Sequence, residues 1–367
     1  MTVSKKRKRV LMLAVCQPAA IGGQAACARM LLENFKNVDW FSLSFPLPRQ
    51  YNSLLRFLFS CKILFQSILI CIYRKVDVVH LLTACGRSAL FEKLIIGNVL
   101  KLTGVKVVIN FQGAFDNYYT QFSKKEKWFV RRTLRKLDII LCLHNDMKKF
   151  LVEQGIADAE KIRVIPNAVL IEPEIVKVKD EHNCLRLVYL GWIVSNKGLH
   201  TLVQAVALLT KQYNAHNFFL DIVGPEVEEG LIAKLLAESQ KEGLEQVVRF
   251  HPPVFGVEKR NVFAKTDIFV FPTRMEGFPF VLLESMEAGL AVITTNISPM
   301  NLIVEHNKNG LLFELDNSAD LAKQIFALMN DVERRTRLGI EARKHIFSGY
   351  SVDRIIEMYS TLYEADL

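Results

Sequence analysis

The sequence predicts an α/β protein built from two Rossmann-like domains, and three observations lead there. Short β-branched runs alternate with longer amphipathic stretches along the whole chain, which is the pattern of parallel sheets covered by helices. The length, 367 residues, exceeds what one ordinary hydrophobic core holds and suits two domains of roughly 150 to 200 residues. Between the halves, Leu170–Asn183 is charged and Val-rich, contains Pro173, and sustains no apolar period of either kind. The expected boundaries are an N-terminal domain over 1–172, a linker over 173–183, a C-terminal domain over 184–348, and a C-terminal helix over 349–367 packing back toward the N-terminal domain.

In the first half the runs predict strands at Val10–Val15, Val76–Leu82, Val105–Phe111, Ile139–Leu143 and Ile162–Ile165. Helices are expected over Ala25–Phe35, Leu54–Tyr73, Ala89–Leu102, Lys124–Lys136 and Met147–Gln154. The second half predicts strands at Leu185–Leu190, Phe218–Val223, Val247–Phe250, Ile268–Phe271, Ala291–Thr294 and Gly310–Phe313. Open α/β sheets bind ligands beyond the carboxyl ends of their strands, so the chemistry is expected in the loops that follow them.

Half the residues are hydrophobic and 23% are charged, which excludes a disordered or fibrous chain. The net charge of +9 is unevenly spread: residues 1–180 carry 29 Lys and Arg against 14 Asp and Glu, the remainder 18 against 24. An excess so placed calls for an anionic partner of the N-terminal half, nucleic acid or an anionic membrane surface. Aromatic residues interleave with charge in WFVRRTLRK (Trp128–Lys136), but no RNP, KH or helix-turn-helix pattern accompanies them, and no nucleic-acid partner is expected. Seven cysteines without a CxxC pair suggest neither a zinc ribbon nor a disulfide framework, and a reducing cytoplasm is expected. The basic start KKRKR (Lys5–Arg9) is followed by an apolar run too short for a signal peptide. Leu54–Tyr73 is interrupted by Arg56, Lys62 and Gln66, against a spanning helix; it reads first as a buried helix of the N-terminal domain, with docking on a membrane surface as the alternative.

Chemistry concentrates in Ile268–Thr294, a buried strand, a loop holding Arg274, Glu276 and Gly277, then a helix and a second strand. Pro279 is expected as the first helical residue, where its fixed φ suits the start and its missing N–H is not needed. The turn at Glu276, Gly277 and Phe278 and the helix N-terminus together form an anion site suited to a diphosphate. Glu284 follows on an apolar helix face, with Phe280 four residues before it, Val281 three before and Ala288 four after. Its charge requires partners: ribose hydroxyls, a helix N-terminus or a nearby Arg.

With these residues the chain resembles the retaining glycosyltransferases of family 4, which have the GT-B fold and share two glutamates separated by seven residues. The motif here is Glu276 to Glu284 within EGFPFVLLESMEAGLAVI. The resemblance implies that Glu276 lies by the transferred sugar, that Phe278, Pro279 and Phe280 hold sugar and phosphate, and that Glu284 accepts from the ribose. Gly22 and Gly23 resemble the family's glycine loop near the donor. GWIVSNKGL (Gly191–Leu199) resembles the turn where a basic pair grips the diphosphate: Lys197 matches its second member, Trp192 replaces the usual Arg, and Arg274 is the candidate substitute. Gln112 stands where the family often has His, and RFHPPV (Arg249–Val254) departs from the usual base-binding turn. The segments DVVHLL (Asp77–Leu82) and KIRVIPNAV (Lys161–Val169) are also similar to family landmarks.

No DxD, HExxH, GxSxG, GxGxxG or Walker pattern occurs, so neither metal nor cofactor is expected and the nucleoside-diphosphate sugar, a UDP-sugar among the candidates, is the donor substrate. The resemblance implies transfer to an acceptor hydroxyl with retention, in polysaccharide or lipid-linked glycan synthesis. Catalysis is then assigned to Glu276 and Lys197. The expected location is cytoplasmic and peripheral at the inner face of the membrane. Rival readings are another GT-B enzyme, an epimerase or phosphorylase, and a non-catalytic or basic-surface binding protein.

Overall fold

The computed structural model describes residues 7–16, 22–45, 53–178, 184–365 and 367. Lys5 and Lys6 of the basic start, and 179–183 of the expected linker, lie outside them. The chain divides into two compact units, Met1–Ala168 with Val352–Leu367, and Val169–Ser351.

In unit 1 the strands are β1 (Lys8–Ala14), β2 (Val38–Ser44), β3 (Val78–Thr83), β4 (Lys106–Phe111), β5 (Ile139–Cys142) and β6 (Ile162–Val164). They form one parallel sheet of order β2-β1-β3-β4-β5-β6. The connecting helices are α1 (Gly23–Asn34), α2 (Ser53–Tyr73), α3 (Arg87–Leu100), α4 (Phe115–Thr120), α5 (Lys124–Leu134) and α6 (Asn145–Glu153). Central strands covered on both faces need continuous apolar runs, and all six residues of β3 are buried.

The expected strands and helices of this half are present with ends shifted by at most two residues. β2 was not expected. Its sequence VDWFSLS leaves only Val38 buried, because β2 is an edge strand that pairs with β1 from Lys8↔Val38 to Ala14↔Ser44. Partnership with β1, rather than local propensity, makes it a strand.

The first reading of Leu54–Tyr73 as a buried helix is corrected. Ile63, Ser67 and Cys71 of α2 are buried, yet Leu54, Phe57, Leu58 and Phe65 are 67, 64, 54 and 63% exposed. Apolar residues surround this helix, and the sheet covers one side only.

Unit 2 holds β7 (Leu185–Leu190), β8 (Phe218–Val223), β9 (Val248–His251), β10 (Ile268–Phe271), β11 (Ala291–Thr295) and β12 (Leu311–Phe313). Its helices are α7 (Leu199–Gln212), α8 (Leu231–Lys241), α9 (Gly256–Ala264), α10 (Phe280–Glu287), α11 (Met300–Ile303), α12 (Ser318–Met329) and α13 (Val332–Gly349). The parallel sheet runs β12-β11-β10-β7-β8-β9, the doubly wound order in which the first and fourth strands of the unit lie side by side. The charged stretch after Val169 is tied to this unit: Glu172 N–H donates to the buried Glu287 at 3.1 Å, and Arg343 bridges Glu287 and the Glu172 carbonyl at 2.8 and 2.6 Å.

The last helix, α14 (Val352–Ala365), belongs to unit 1 and packs on α1. Tyr359 and Tyr363 reach a buried polar network under the sheet. The Asn110 amide donates to the Tyr359 hydroxyl at 2.9 Å, and His80 Nδ1 meets the Tyr363 hydroxyl at 2.6 Å. With Nε2 accepting from Asn110 at 3.4 Å, Nδ1 is the donor to Tyr363 and the ring is neutral. Burial pushes the His80 pKa from 6.5 down to about 3. Below pH 6.5 the unfolded chain therefore binds a proton that the folded chain refuses, and stability contributed by His80 is lost as pH falls from 6.5 toward 3. The expected loss is about 1.4 kcal/mol per pH unit in that window. Urea unfolding at pH 7 and pH 5 checks it: His80→Gln should show a shallower acid loss than the parent, and equal losses would remove His80 as the sensor.

Candidate active site

In an open α/β sheet, a crevice forms where the chain leaves two adjacent strands toward opposite sides. In unit 2 those strands are β7 and β10, paired through Ile268↔Leu187 and Phe269↔Val188. The chain goes from β7 toward β8 on one side and from β10 toward β11 on the other. Lys197 follows β7 and Glu276 follows β10, so sheet order brings together two residues 79 positions apart.

The loop after β7 is shaped by its own contacts. Tyr189 hydroxyl donates to the Trp192 carbonyl at 2.7 Å, and Glu228 accepts from both the N–H and the hydroxyl of Ser195 at 2.8 Å. Those two bonds hold the Glu228 carboxyl below its ordinary pKa. A 3-10 turn over Ser195–Lys197 follows, and the chain enters α7 through Gly198 at φ 68°. A Cβ on Gly198 would lie 1.9 Å from the Pro272 carbonyl oxygen. Only a residue without a side chain permits the loops after β7 and β10 to touch there. Arg274 N–H then donates to the Asn196 carbonyl at 2.9 Å and joins them again.

Between these two backbone contacts Lys197 Nζ donates to Glu276 Oε1, the side chains being 14 and 17% exposed. Two opposite charges are thereby held partly dehydrated at the switch point. Close by, Tyr189 is fully buried, and burial first, the Glu276 charge second, push its phenol well above the ordinary range.

Pro279 was expected as the first helical residue and is instead the N-cap, with extended backbone at φ −75° and ψ 117°. Its carbonyl accepts from Leu283 N–H at 3.3 Å, so it starts the helical hydrogen bonds while its ring stays outside them. Lacking an N–H, Pro279 supplies shape rather than a donor. Phe280 opens α10, whose first-turn amides have no partner within the helix, and the turn at Gly277 and Phe278 leads into it. Phe278 is buried and its ring lies 5.5 Å from that of Tyr350.

One turn into α10, Glu284 is paired with Lys259 of α9, their side chains 26 and 22% exposed. Burial pushes the Glu284 carboxyl up in pKa, and Lys259 pulls it back. Sequence reasoning required a partner for Glu284 but missed Lys259, because nothing local links residues 25 apart. The only available signal was the need of a buried carboxylate for a cation.

The remaining candidates separate. Arg274 touches the Lys197 loop through its backbone, while its guanidinium reaches Asp316 at 2.6 Å in an exposed pair. Trp192 is 42% exposed. His251 Nε2 meets Asp221 at 2.8 Å. Gly22, at φ 121°, is the N-cap of α1 and Gly23 its first residue, both in unit 1 after β1. Gln112, also in unit 1, donates to Asn110 at 3.0 Å and to Cys27 Sγ at 3.4 Å. A cavity of about 1390 Å³ in unit 2 is lined by Lys177, Asn217, Asp267 and Gly289, which precede strands; it lies at the opposite end of the sheet from Lys197 and Glu276. Among the described residues no cluster of His, Cys, Asp and Glu could hold a metal ion.

Two Rossmann-like units in one chain, the second carrying a Lys–Glu pair and a helix start at its switch point, are the architecture of the GT-B class. Residues 28–172 match the family described as Glycosyltransferase Family 4, and 172–345 the family described as Glycosyl transferases group 1. The chain belongs to the family-4 type of glycosyltransferases. It is 24% identical to the capsular polysaccharide biosynthesis glycosyltransferase CapM of Staphylococcus aureus, over 66% of this chain and 66% of that protein. It is also 24% identical to an Escherichia coli UDP-Gal:alpha-D-GlcNAc-diphosphoundecaprenol alpha-1,3-galactosyltransferase, over 79% of this chain and 75% of that one. A 28% match to an uncharacterized glycosyltransferase of Haemophilus influenzae spans about half of each chain, 52 and 51%. Among solved structures, sucrose-phosphate synthase from Thermosynechococcus elongatus superposes with a TM-score of 0.80 at 17% identity, covering 98% of both chains. Anabaena HepE in complex with UDP and glucose superposes with 0.76 at 15%, covering 98% of this chain and all of that one. At such identities the likeness is one of fold.

Proposed function

We propose that this protein transfers a sugar from a nucleoside-diphosphate sugar to a hydroxyl of a lipid-linked glycan, with retention at the anomeric carbon, during cell-surface polysaccharide synthesis at the cytoplasmic side of a membrane. The observation that carries the reading is the Lys197–Glu276 pair at the β7/β10 switch point, beside the start of α10. An anion belongs at that helix start and beside that lysine. In this reading Glu284, one turn further, accepts from ribose hydroxyls beside its pair with Lys259. The UDP-containing HepE structure supports a UDP-sugar as donor, and the Escherichia coli relative, named for a diphosphoundecaprenol substrate, supports a lipid-linked acceptor.

In this reaction the bond from the anomeric carbon to the diphosphate oxygen breaks, and the bond to the acceptor oxygen forms on the same face. The departing diphosphate takes the acceptor proton. Lys197 and the amides of Gly277, Phe278 and Phe280 stabilise its charge, and Glu276 stabilises the positive charge developing on the sugar. No cofactor takes part.

A panel of UDP-, GDP- and ADP-sugars tests the donor. One nucleotide class should stabilise the chain against unfolding, by about 2.7 kcal/mol at a hundred times its dissociation constant. Lys197→Ala should weaken that nucleotide by about 1.5 to 3 kcal/mol, because a charge-assisted phosphate contact is lost and Glu276 is left without its cation. No protection by any of the three classes, or unchanged affinity in the variant, would overturn the reading.

A further inference from the structure

Helix α2 presents apolar residues on two opposite sides. At 100° per residue, Ile63, Ser67 and Cys71 share one side, while Leu54, Leu58, Cys61, Phe65 and Ile72 share the other. The first set is buried and packs with β1 and α3 in the core of unit 1. The second set is exposed, Ile72 at 58%. By length and composition α2 could cross a membrane, with 17% of its apolar window buried. Its inner stripe is part of the core beside a parallel sheet, so lipid cannot surround it. The geometry suits a helix lying in the plane of an interface.

Its neighbours add charge. α3 touches both α2 and α5, with Ser60 bonded to Glu92 on one side and Phe91 stacked on Phe129 at 5.1 Å on the other. Lys124, Lys125, Arg132 and Lys136 are exposed, and Arg132 lies over the ring of Trp128, itself 61% exposed. From Ser53 to Lys136 the chain holds fifteen Lys and Arg against four Asp and Glu. Lys62, Arg74 and Lys75 stand exposed on or just after α2 itself. A second copy docking on this face would bring like charges together, whereas anionic headgroups would neutralise them.

We infer that the α2–α3–α5 face of unit 1 is a docking surface for an anionic lipid bilayer, with the Leu54–Phe65–Ile72 side of α2 inserted in the plane of the interface and the basic residues over the headgroups. It deepens the proposed function, on which it rests for its purpose, since a lipid-linked acceptor has to be met at a membrane.

Co-sedimentation of the full chain with phosphatidylcholine vesicles, with and without phosphatidylglycerol, tests it at low and high salt. The parent should bind the anionic vesicles, and less so at high salt. The double variant Leu58→Glu, Phe65→Glu should lose about tenfold or more in binding while keeping its circular dichroism, because both side chains leave the core side free. The pair Lys124→Glu, Lys125→Glu should weaken binding to anionic vesicles only. Failure of the parent to bind, or equal binding by the Leu58/Phe65 variant, would overturn the inference. A parent dimer in sedimentation velocity that the same variant dissociates would overturn it in favour of a second copy. UDP titration reads the donor site separately, so loss of one reading leaves the other standing.

Discussion

Glu276→Gln should lower sugar-transfer turnover about a hundredfold while holding or tightening the affinity for free nucleoside diphosphate, if the carboxylate acts on charge developing in the transition state. The structure adds the second half of that expectation. Glu276 is paired with the Lys197 ammonium, so a diphosphate that takes this lysine has to compete with the carboxylate. A neutral amide of the same shape removes the competitor and the attraction together: Lys197 becomes available to phosphate, and the sugar loses its anion. Glu284→Gln should behave in the opposite way, weakening nucleotide binding and raising KM, if its carboxylate accepts from the ribose as proposed, since such contacts persist from ground state to transition state. Calorimetric titration with the free nucleotide and initial rates with the donor separate the two. If both variants lost nucleotide binding equally while remaining folded, Glu276 would be a loop-forming residue and the division of roles would fail.

Gly198→Ala should cost more than any single side-chain removal at the site. The new Cβ would meet the Pro272 carbonyl oxygen at 1.9 Å and its carbon at 2.9 Å, and backbone cannot swing aside as a flexible side chain can. Left-handed φ alone costs an alanine about 1 to 2 kcal/mol. With the contact added, a destabilisation on the order of 3 kcal/mol or more is expected. The two loops would part, breaking the Lys197–Glu276 pair and lowering turnover by more than about a hundredfold. Gly243→Ala is the control: φ there is 74° with nothing within 4 Å of the new Cβ, so it carries the conformational strain without the contact. Urea unfolding of both variants measures the difference. Equal losses would mean that the loops after β7 and β10 do not depend on their approach at Gly198.

Much of this protein was legible along the chain because the decisive interactions are local or periodic. Buried parallel strands declare themselves as apolar runs, and the unit 2 strands begin and end within one residue of expectation. The turn through Glu276, Gly277 and Phe278 into α10 is written in consecutive residues, as is the seven-residue gap to Glu284. Pro279 shifted by one position, since a proline that cannot donate fits the cap as well as the first turn.

Tertiary structure alone decided the rest. β2 is a strand because β1 offers it a complete edge. Lys259 reaches Glu284 because α9 and α10 bring them together, and Arg274 turns to Asp316 because that carboxylate is in reach. The outward side of α2 looked like core because a sequence records how apolar a residue is and not which side of the helix the sheet covers. Lys197 meets Glu276 for the same reason: local pattern fixes each strand and its loop, but which strands become neighbours is settled only when the whole sheet closes its hydrogen bonds and buries both faces.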